Sequence, residues 1–273
     1  MREQFSQKHG IWGKTKTMNT LVQSFQLAGK NALVTGSRKG LGAAIALALA
    51  EAGANVGCNG KSADSGGVAE TIRGMGGKSF YVAGDVSDAE VCGRLIDTTV
   101  AEFGSIDLLV NNAGVIRRAP ALEVPMEYWD EVIAVNLTSV FRLSQLAARQ
   151  MVEKKRGGKI VHVASVLSFQ GGILVPAYAA AKGGVAQLTK SMANEWAKER
   201  INVNAIAPGY MVTDNTEAVR GDANRNRQIL ERIPAGRWGQ PEDLAGAAVF
   251  LCSAASDYVH GHLLTVDGGW LGR

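Results

Sequence analysis

Length, composition and charge limit the function classes to which this chain can belong. It has 273 residues, of which 46% are hydrophobic, so it is long enough for one large α/β domain with a filled core. The formal net charge is +4, but the first 20 residues carry four basic side chains and one acidic one, which leaves the remainder nearly neutral. Because no basic face with interleaved aromatic residues is present, we expect no nucleic acid as a partner.

The cysteines, histidines and apolar runs indicate the cellular compartment and whether a metal site is expected. Cys58, Cys92 and Cys252 are odd in number, far apart and without a C-x-x-C pair, which predicts neither disulfides nor a thiolate metal site. With four histidines and no clustered carboxylates, His260 and His262 predict no metal centre either. The chain has no apolar run of about 18 residues and no apolar centre of a signal peptide near its start. We therefore expect a cytoplasmic protein with no membrane partner.

The pattern along the chain predicts one folded unit. Residues 1–26 are interpreted as a flexible N-terminal extension and residues 27–273 as a single domain, since no linker rich in Pro, Gly and Ser interrupts them. Apolar, β-type runs alternate with helical patterns at 32–35, 54–58, 79–83, 108–111, 160–164, 202–207 and 263–266. Strands separated by helices form parallel sheets with helices on both faces. The predicted fold is an α/β, doubly wound, Rossmann-type three-layer sandwich with a seven-stranded parallel sheet.

A glycine-rich turn directly follows the first predicted strand. It reads Thr35-Gly36-Ser37-Arg38-Lys39-Gly40-Leu41-Gly42 and leads into an alanine-rich helix. Glycines let the backbone approach a pyrophosphate, and a helix N-terminus favours its negative charge, although a plain strand-to-helix turn is the alternative. Since ligands bind at the carboxyl ends of parallel strands, a dinucleotide is predicted here. Its predicted contacts are Gly36, Arg38, Lys39, Gly40, Leu41 and Gly42.

The end of the second predicted strand bears on the type of dinucleotide. Folds that bind NAD usually place a carboxylate there for the adenosine ribose, whereas this chain has Asn59-Gly60-Lys61. With no acid to repel a 2′-phosphate, and with Lys61 and the basic residues of the glycine loop near it, charge favours NADP. We predict contacts from Gly60 and Lys61. Two alternatives remain open: Asp64 restores an NAD contact, or the basic side chains are only solvated.

Two further strand ends are predicted to contact the same ligand. Gly84-Asp85-Val86 follows the third strand, where Asp85 and Val86 are expected to face the adenine, with a turn-forming aspartate as the alternative. Asn111-Asn112-Ala113-Gly114 follows the fourth strand. Small residues there can run beneath a dinucleotide, and an asparagine amide can tie strands together, so the last three are predicted contacts. An ordinary loop is the alternative.

A phenol and an ammonium form the candidate acid/base pair. Tyr178 and Lys182 stand four residues apart in a helical pattern, so both lie on one helix face. A phenol with a pKa of about 10 is a poor base at neutral pH, but a neighbouring cation favours the phenolate and lowers that pKa. Ser165 ends the fifth strand and can hydrogen-bond a substrate oxygen. The alternative is a half-buried tyrosine beside a solvated lysine.

Taken together, these motifs resemble the short-chain dehydrogenase/reductase family from about residue 27 to the end. The resemblance rests on the glycine loop, Asn111–Gly114, Asn136, Ser165, Tyr178-x-x-x-Lys182 and Pro208-Gly209, in this order and spacing. It implies hydride transfer between a nicotinamide cofactor and a secondary alcohol or ketone. Tyr178 would transfer the hydroxyl proton, Lys182 would lower the pKa of Tyr178 and hold the nicotinamide ribose, and Ser165 would orient the substrate oxygen.

The resemblance also implies supporting roles and an assembly. Asn136 would bind a water that relays protons from the active-site lysine, while Pro208, Gly209 and Thr213 would contact the nicotinamide half of the cofactor. The family usually forms homotetramers. The C-terminal segment would form one interface, in which Trp270 lines a neighbour's substrate pocket.

Segments of the second half resemble a narrower branch of the family, the bacterial 2-deoxygluconate 3-dehydrogenases and 2-dehydro-3-deoxygluconate 5-dehydrogenases, with gluconate 5-dehydrogenases nearby. The segments are Asn112–Arg118, Ser168–Gly172, Met192–Lys198, Ile233–Gly239 and Asp267–Leu271. Sugar acids are therefore the expected substrates. A hydroxylated carboxylate needs charged and polar partners. The predicted contacts are Arg117, Gln170, Tyr210 and Arg237, with Arg118 also near the site.

Alternatives remain for these residues and for the function. Each arginine can instead be structural, packed on an indole or paired in an interface. The competing activity is reduction of a 3-oxoacyl thioester on an acyl carrier protein, for which a basic docking surface is expected. A non-catalytic nucleotide-sensing scaffold is disfavoured by the complete set of Asn136, Ser165, Tyr178 and Lys182.

Overall fold

The computed structural model describes residues 19–63 and 67–273, which fold around one seven-stranded sheet. All strands are parallel, in the order β3-β2-β1-β4-β5-β6-β7. The strands are β1 Asn31–Val34, β2 Asn55–Gly60, β3 Ser79–Ala83, β4 Leu108–Asn111, β5 Gly158–Val163, β6 Ile201–Pro208 and β7 Leu263–Val266. The predicted doubly wound, seven-stranded fold is confirmed.

The apolar runs that predicted strands are the buried centre of this sheet. Every residue of β1, β4 and β6 is buried, as expected for strands covered on both faces. β3, β4 and β7 have the predicted bounds, whereas the other strands differ by one or two residues at their ends. Strand ends are set by hydrogen bonds to neighbouring strands, so an apolar pattern locates them only approximately.

Helices cover both faces of the sheet. They are α1 Asn19–Gln23, α2 Gly40–Glu51, α3 Val68–Gly74, α4 Ala89–Phe103, α5 Met126–Ile133, α6 Ser139–Glu153, α7 Pro176–Trp196, α8 Glu217–Gly221, α9 Ala223–Arg232 and α10 Ala245–Cys252. A π-helical turn, Ala134–Thr138, joins α5 to α6. Side chains of α2, α3 and α10 form the core on one face, and side chains of α4, α6 and α7 form the core on the other. This is the predicted three-layer arrangement.

The proposed N-terminal extension is partly folded. Residues 1–18 lie outside the described residues, so the prediction of flexibility there stays a prediction. Residues 19–26, which were assigned to the same extension, contain the short helix α1. The ring of Phe25 lies 6.3 Å from that of Phe250 on α10, and the Ser24 carbonyl accepts a hydrogen bond from the Ala255 amide. These contacts place the start of the folded unit before residue 27.

The sequence also led to expectations about the cysteines and about membrane-spanning helices. Cys58, Cys92 and Cys252 are all buried, and they lie on three different elements, β2, α4 and α10. Among the helices of residues 19–63 and 67–273, none is both long enough and apolar enough to cross a membrane.

The strand order places a crevice at one edge of the sheet. β1 pairs with β2 on one side and with β4 on the other, so the direction of winding reverses between β1 and β4. In open parallel sheets a ligand crevice forms at the carboxyl ends of the strands at such a reversal. The glycine loop after β1 and the Asn111–Gly114 segment after β4 meet there.

Close packing at this crevice requires glycine. Gly36 and Gly40 have φ angles of +62° and +59°, which side chains with a Cβ rarely adopt. A Cβ at Gly36 would also lie 2.8 Å from the Ala113 Cα. A Cβ at Gly42 would overlap the Asn112 amide and the Gly36 carbonyl, so helix α2 can approach the β4 loop only because this position lacks a side chain.

Replacing Gly42 by alanine is therefore expected to destabilise the protein, by about 1–3 kcal/mol, although alanine is the better helix former. The matched control is Gly93→Ala in α4, where an added Cβ would meet nothing within 4 Å. There the free energy of unfolding should rise by about 0.5–1 kcal/mol. Chemical denaturation at one protein concentration measures both. Equal stability of the two variants would contradict the packing argument.

Candidate active site

A cavity of 980 Å³ lies at the carboxyl ends of the strands and brings together most of the predicted site residues. Its wall includes Gly36, Lys39, Gly40, Leu41, Gly42, Gly60, Lys61, Asp85, Val86, Asn112, Ala113, Gly114, Ser165, Gln170, Tyr178, Lys182, Pro208, Gly209, Tyr210 and Thr213. Four predicted residues do not line it: Arg38, Arg117, Asn136 and Arg237. This volume lies at the upper end of the range for sites that enclose a small molecule.

The glycine loop is fastened to the end of β4. The Asn112 side-chain amide donates to the carbonyls of Thr35 and Gly36 at 2.9 and 3.0 Å. In return, the Thr35 hydroxyl accepts hydrogen bonds from the backbone amides of Asn112 and Ala113, both at 3.1 Å. The loop is therefore held open without a ligand, as a rigid backbone cradle in front of α2.

The end of β2 has no carboxylate. Asn59 is buried there, and its side chain donates to the carbonyls of Val82 and Gly84, while its backbone carbonyl accepts from the Ser37 amide at 2.7 Å. A Cβ at Gly60 would lie 3.1 Å from the Arg38 Cβ, so the arginine stands beside the strand end although it does not line the cavity. The residues fit an adenosine that carries a 2′-phosphate.

The two lysines predicted at this end are already paired. Lys61 forms an ion pair with Asp85 at 2.8 Å, and Lys39 forms one with Asp214 across the mouth of the cavity. The hydrogen bond that Lys61 donates to Asp85 is the main cause of the raised pKa of Lys61. Both pairs are exposed, and exposed ion pairs are weak, so a phosphate can compete for either ammonium.

Ser165 and Tyr178 meet at the centre of the cavity. Ser165 follows β5 and begins a short helical turn, where its hydroxyl accepts from the Leu167 amide at 3.1 Å. Tyr178 lies in the first turn of α7, which starts at Pro176, a residue suited to a helix N-terminus. The Ser165 side chain lies close enough to the Tyr178 phenol to lower its pKa. Strand end and helix start thus converge on one position for a substrate oxygen.

Lys182 is a buried cation. It is 4% exposed, and its Nζ donates to the Val163 carbonyl of β5 at 2.6 Å. Nζ also lies 5.5 Å from the centre of the Tyr178 ring. Burial lowers the pKa of Lys182 to about 8, because the surrounding protein solvates the charged form less well than water does.

The direction of the Tyr178 pKa differs from the sequence prediction. Burial raises the pKa of the Tyr178 phenol above its ordinary value, while the hydrogen bond with Ser165 and the charge of Arg118 act in the opposite direction. Desolvation of a phenolate outweighs these two contributions. The predicted lowering by Lys182 is therefore not seen, and the phenol keeps its proton at neutral pH.

Asn136 is buried beside the cavity rather than in its wall. It lies in the π-helical turn between α5 and α6, and such turns are common near functional sites. Its Oδ1 accepts from the Val115 amide at 3.0 Å, and its Nδ2 donates to the Val115 carbonyl at 2.8 Å. Asn136 thereby fixes the backbone that follows β4. Its role toward a relay water stays a prediction.

Two of the predicted substrate arginines are held away from the cavity. Arg117 forms a bidentate salt bridge with Glu131, with both N–O distances at 2.7 Å. Arg237 forms a bidentate pair with Asp243, at 2.6 and 2.9 Å. Because each guanidinium is paired with a carboxylate and lies outside the cavity wall, these two residues are structural in this arrangement, which was the alternative left open by the sequence.

Three other arginines line the cavity. Among the described residues, Arg118, Arg225 and Arg232 form no salt bridge and contribute to the cavity wall. Arg118 donates to the Asn215 carbonyl at 2.8 Å, and the Arg232 guanidinium stacks 3.9 Å from the centre of the Trp270 ring. In the irregular segment after β4, the Arg118 side chain lines the cavity, whereas that of Arg117 is paired with Glu131. No periodic pattern in the sequence predicts this difference in side-chain direction.

The far wall of the cavity is aromatic. Trp270 is buried in its own chain, with its ring 4.5 Å from that of Tyr210. Tyr210 in turn meets Trp238 edge to face at 5.5 Å, and the Trp238 indole donates to Asn226 of α9 at 2.7 Å. Trp270 thus lines the cavity of its own chain, and the expectation that it lines a neighbour's pocket stays a prediction.

Comparison with known proteins assigns the family. A family model described as enoyl-(acyl carrier protein) reductase matches residues 36–271. A 2-dehydro-3-deoxy-D-gluconate 5-dehydrogenase of Dickeya dadantii (strain 3937) is 51% identical over 254 residues, which are 93% of this chain and 100% of that protein. A 5-keto-D-gluconate 5-reductase of Escherichia coli (strain K12) is 44% identical, over 90% of this chain and 97% of its own.

A solved structure extends the likeness to three dimensions. The crystal structure of a gluconate 5-dehydrogenase from Burkholderia cenocepacia J2315, in complex with NADP and tartrate, superposes with a TM-score of 0.88. The two proteins are 41% identical, and the match covers 93% of this chain and 99% of that one. The family model, the relatives and the solved structure all support the family that the motifs lining the cavity indicated. The chain belongs to the short-chain dehydrogenase/reductase family.

Proposed function

We propose that the protein is an NADP-dependent oxidoreductase that acts on a secondary alcohol or ketone of a sugar acid. The substrate is of the 2-deoxygluconate, 2-dehydro-3-deoxygluconate or gluconate type. The observation that carries the proposal is one cavity whose wall holds the Tyr178 phenol, close to Ser165 and Lys182, together with arginines that form no salt bridge among the described residues. The sugar-acid activities printed for the relatives support it.

The proton chemistry follows from the three central side chains. Tyr178 donates its proton to the substrate oxygen during ketone reduction and removes it during alcohol oxidation. Ser165 orients that oxygen by a hydrogen bond and stabilises the charge that develops on it. The ammonium of Lys182 stabilises the phenolate left behind by reduction. A bound nicotinamide dinucleotide supplies or accepts the hydride.

The cofactor preference rests on the ends of β1 and β2. Backbone amides of the glycine loop and the N-terminus of α2 suit the pyrophosphate. The absence of a carboxylate from residues 59–63 and the presence of Arg38 and Lys61 favour a 2′-phosphate, while Asp64 lies outside the described residues. The relative solved with NADP supports this choice. The contacts proposed are the cavity residues named above, together with Arg38.

The charges of the cavity support an anionic substrate. Four carboxylates line it: Asp85, Asp214 and Glu131 are each paired with a lysine or arginine, and Asp222 accepts from the Asn224 and Arg225 amides at the start of α9. Among the described residues, Arg118 forms no salt bridge and donates to the Asn215 carbonyl, and its charge acts on the Tyr178 phenol. A guanidinium near the reacting oxygen can bind a carboxylate, so Arg118 takes the role first given to its neighbour. Gln170 and Tyr210 supply further polar contacts.

We also propose a homotetramer in the cytoplasm. An apolar groove lies between the π-helical turn, α6 and α7, and is lined by Leu137, Phe141, Gly184 and Leu188 among others. Phe141 is 44% exposed there, and large exposed apolar side chains in a groove suit a contact between subunits. The odd number and wide spacing of the cysteines, with no C-x-x-C pair, support a reducing compartment.

Tyr178→Phe is expected to lower kcat by about 10²- to 10⁴-fold while cofactor binding stays intact, because phenylalanine keeps the ring but has no proton to transfer. Tyr258→Phe is the matched control, since Tyr258 is fully exposed and outside the cavity. Steady-state turnover of a sugar acid and fluorescence titration with NADP measure the two quantities. Turnover of Tyr178→Phe at the rate of the control would contradict the assignment of Tyr178 as the proton-transfer residue.

The rate of ketone reduction should depend on the charge of Lys182. Its pKa is lowered to about 8 and the pKa of Tyr178 is raised, so the ammonium loses its proton first as the pH rises. The phenolate then lacks its stabilising charge. We expect kcat/KM for reduction to be level below about pH 8 and to fall above it. A profile that instead rises through this range would refute the assignment.

Arg118→Ala is expected to lower kcat/KM for a sugar acid by about 10- to 100-fold, the cost of a lost charge-assisted hydrogen bond. The corresponding sugar with a neutral CH₂OH group in place of the carboxylate should be affected little. Arg73→Ala, which removes an exposed arginine of α3 outside the cavity, is the control. An equal loss for the charged and the neutral substrate would show that Arg118 does not bind the carboxylate.

A further inference from the structure

A fully buried histidine lies behind the catalytic residues. His162 is the residue before Val163 on β5 and is inaccessible to solvent. Its Nε2 is 3.0 Å from the Ser144 hydroxyl on α6, and its Nδ1 is 2.9 Å from the Thr189 hydroxyl on α7. The Asn111 amide of β4 donates to the same Ser144 hydroxyl at 3.0 Å. One imidazole therefore joins the sheet to two helices.

The directions of these hydrogen bonds are fixed by the partners. The Thr189 hydroxyl donates to the Val185 carbonyl at 2.7 Å, so it can only accept from the imidazole. Nδ1 of His162 then carries the proton, and Nε2 accepts the proton of Ser144. A chain of donors and acceptors results in which the neutral imidazole satisfies both neighbours.

The charge state agrees with that chain. Burial lowers the pKa of His162 to about 3, and the positive charge of Lys182 acts in the same direction. His162 thus stays neutral at every pH at which the protein works, and it is no proton donor to the substrate. Its contribution is geometric.

The joined elements are those that carry the catalytic groups. Val163 follows His162 and accepts the hydrogen bond of the Lys182 ammonium. Thr189 lies seven residues after Lys182, two turns further along the same face of α7. α6, which carries Ser144, continues the π-helical turn of Asn136. The distances from β5 to α6 and to α7 therefore set where these groups lie.

We propose that His162 is a positioning residue for the reaction: by bonding Ser144 and Thr189 together, it holds α7 at the distance from β5 at which Lys182 reaches the Val163 carbonyl and Tyr178 reaches Ser165. The inference rests on the proposed acid/base role of Tyr178 and Lys182. It assigns no contact of His162 with substrate or cofactor. An apolar side chain could fill the same space, but it would not fix the two helices relative to the strand.

A matched pair of threonines tests the inference. Thr189 and Thr99 are both fully buried in helices, and each donates to the carbonyl four residues earlier at 2.7 Å. Thr189 also accepts from His162, whereas Thr99 lies on α4, away from the cavity. Thr189→Val and Thr99→Val remove the same hydroxyl, and the contact with the imidazole is lost only in the first.

We expect Thr189→Val to lower kcat per folded active site by about tenfold or more, and Thr99→Val to leave it unchanged. The alkaline limb of kcat/KM should also move to higher pH in Thr189→Val, because a displaced α7 lets water reach the Lys182 ammonium. Tyr178 on the same helix and His162 on β5 are the titratable groups that face this ammonium. A purely structural loss would lower the melting temperature without moving that limb.

Variants at the other positions complete the test. Ser144→Ala should show a smaller form of the same change, and His162→Gln, whose amide can donate and accept, should retain more activity than His162→Leu. Wild-type kcat and an unmoved limb in folded Thr189→Val and Ser144→Ala would overturn the inference, even if His162→Leu does not fold. Absence of sugar-acid turnover in the unchanged protein would instead count against the proposed function, so the two failures are distinguishable.

Discussion

The ammonium of Lys182 lies inside the protein, bonded to the Val163 carbonyl and next to the Tyr178 ring. A buried charge is costly, and a site keeps one only where its surroundings hold it in place. Here the surroundings are the carboxyl end of β5 and the first turns of α7. The rest of the site depends on this pair of elements, because they also carry Ser165 and Tyr178. The reversal of strand order between β1 and β4 places the glycine loop across from them.

Electrostatics divide the cavity into two ends. At the β1–β3 end, lysines are paired with carboxylates at the rim, and residues 60–63 at the end of β2 include no acid, which suits a phosphorylated adenosine. At the other end, guanidinium groups of Arg118, Arg225 and Arg232 lack carboxylate partners among the described residues. The phenol lies between the ends. In the proposed function, an anionic, hydroxylated substrate and a dinucleotide occupy separate places, with Tyr178 where they meet.

The sequence predicted the fold well because apolar runs indicate buried strands and glycine-rich segments indicate tight turns. It also located the Tyr178, Lys182 and Ser165 set, since helical spacing and strand ends are visible in a pattern. Side-chain partners were less predictable. Arg117 forms a salt bridge with Glu131, and Arg237 forms one with Asp243. These contacts depend on the conformation of loops rather than on the spacing of residues in the sequence. The predicted lowering of the Tyr178 pKa was wrong, because burial raises this pKa by more than Ser165 and Arg118 lower it. A sequence motif does not show how deeply a phenol is buried.

The most direct measurement is a panel of initial rates for the unchanged protein with NADP and with NAD. The substrates are gluconate, 2-deoxygluconate, 2-dehydro-3-deoxygluconate and an acetoacetyl thioester. The account predicts turnover of at least one sugar acid, with NADP preferred over NAD and with little activity on the thioester. Reduction of the thioester without activity on any sugar acid, or equal use of both cofactors, would contradict it.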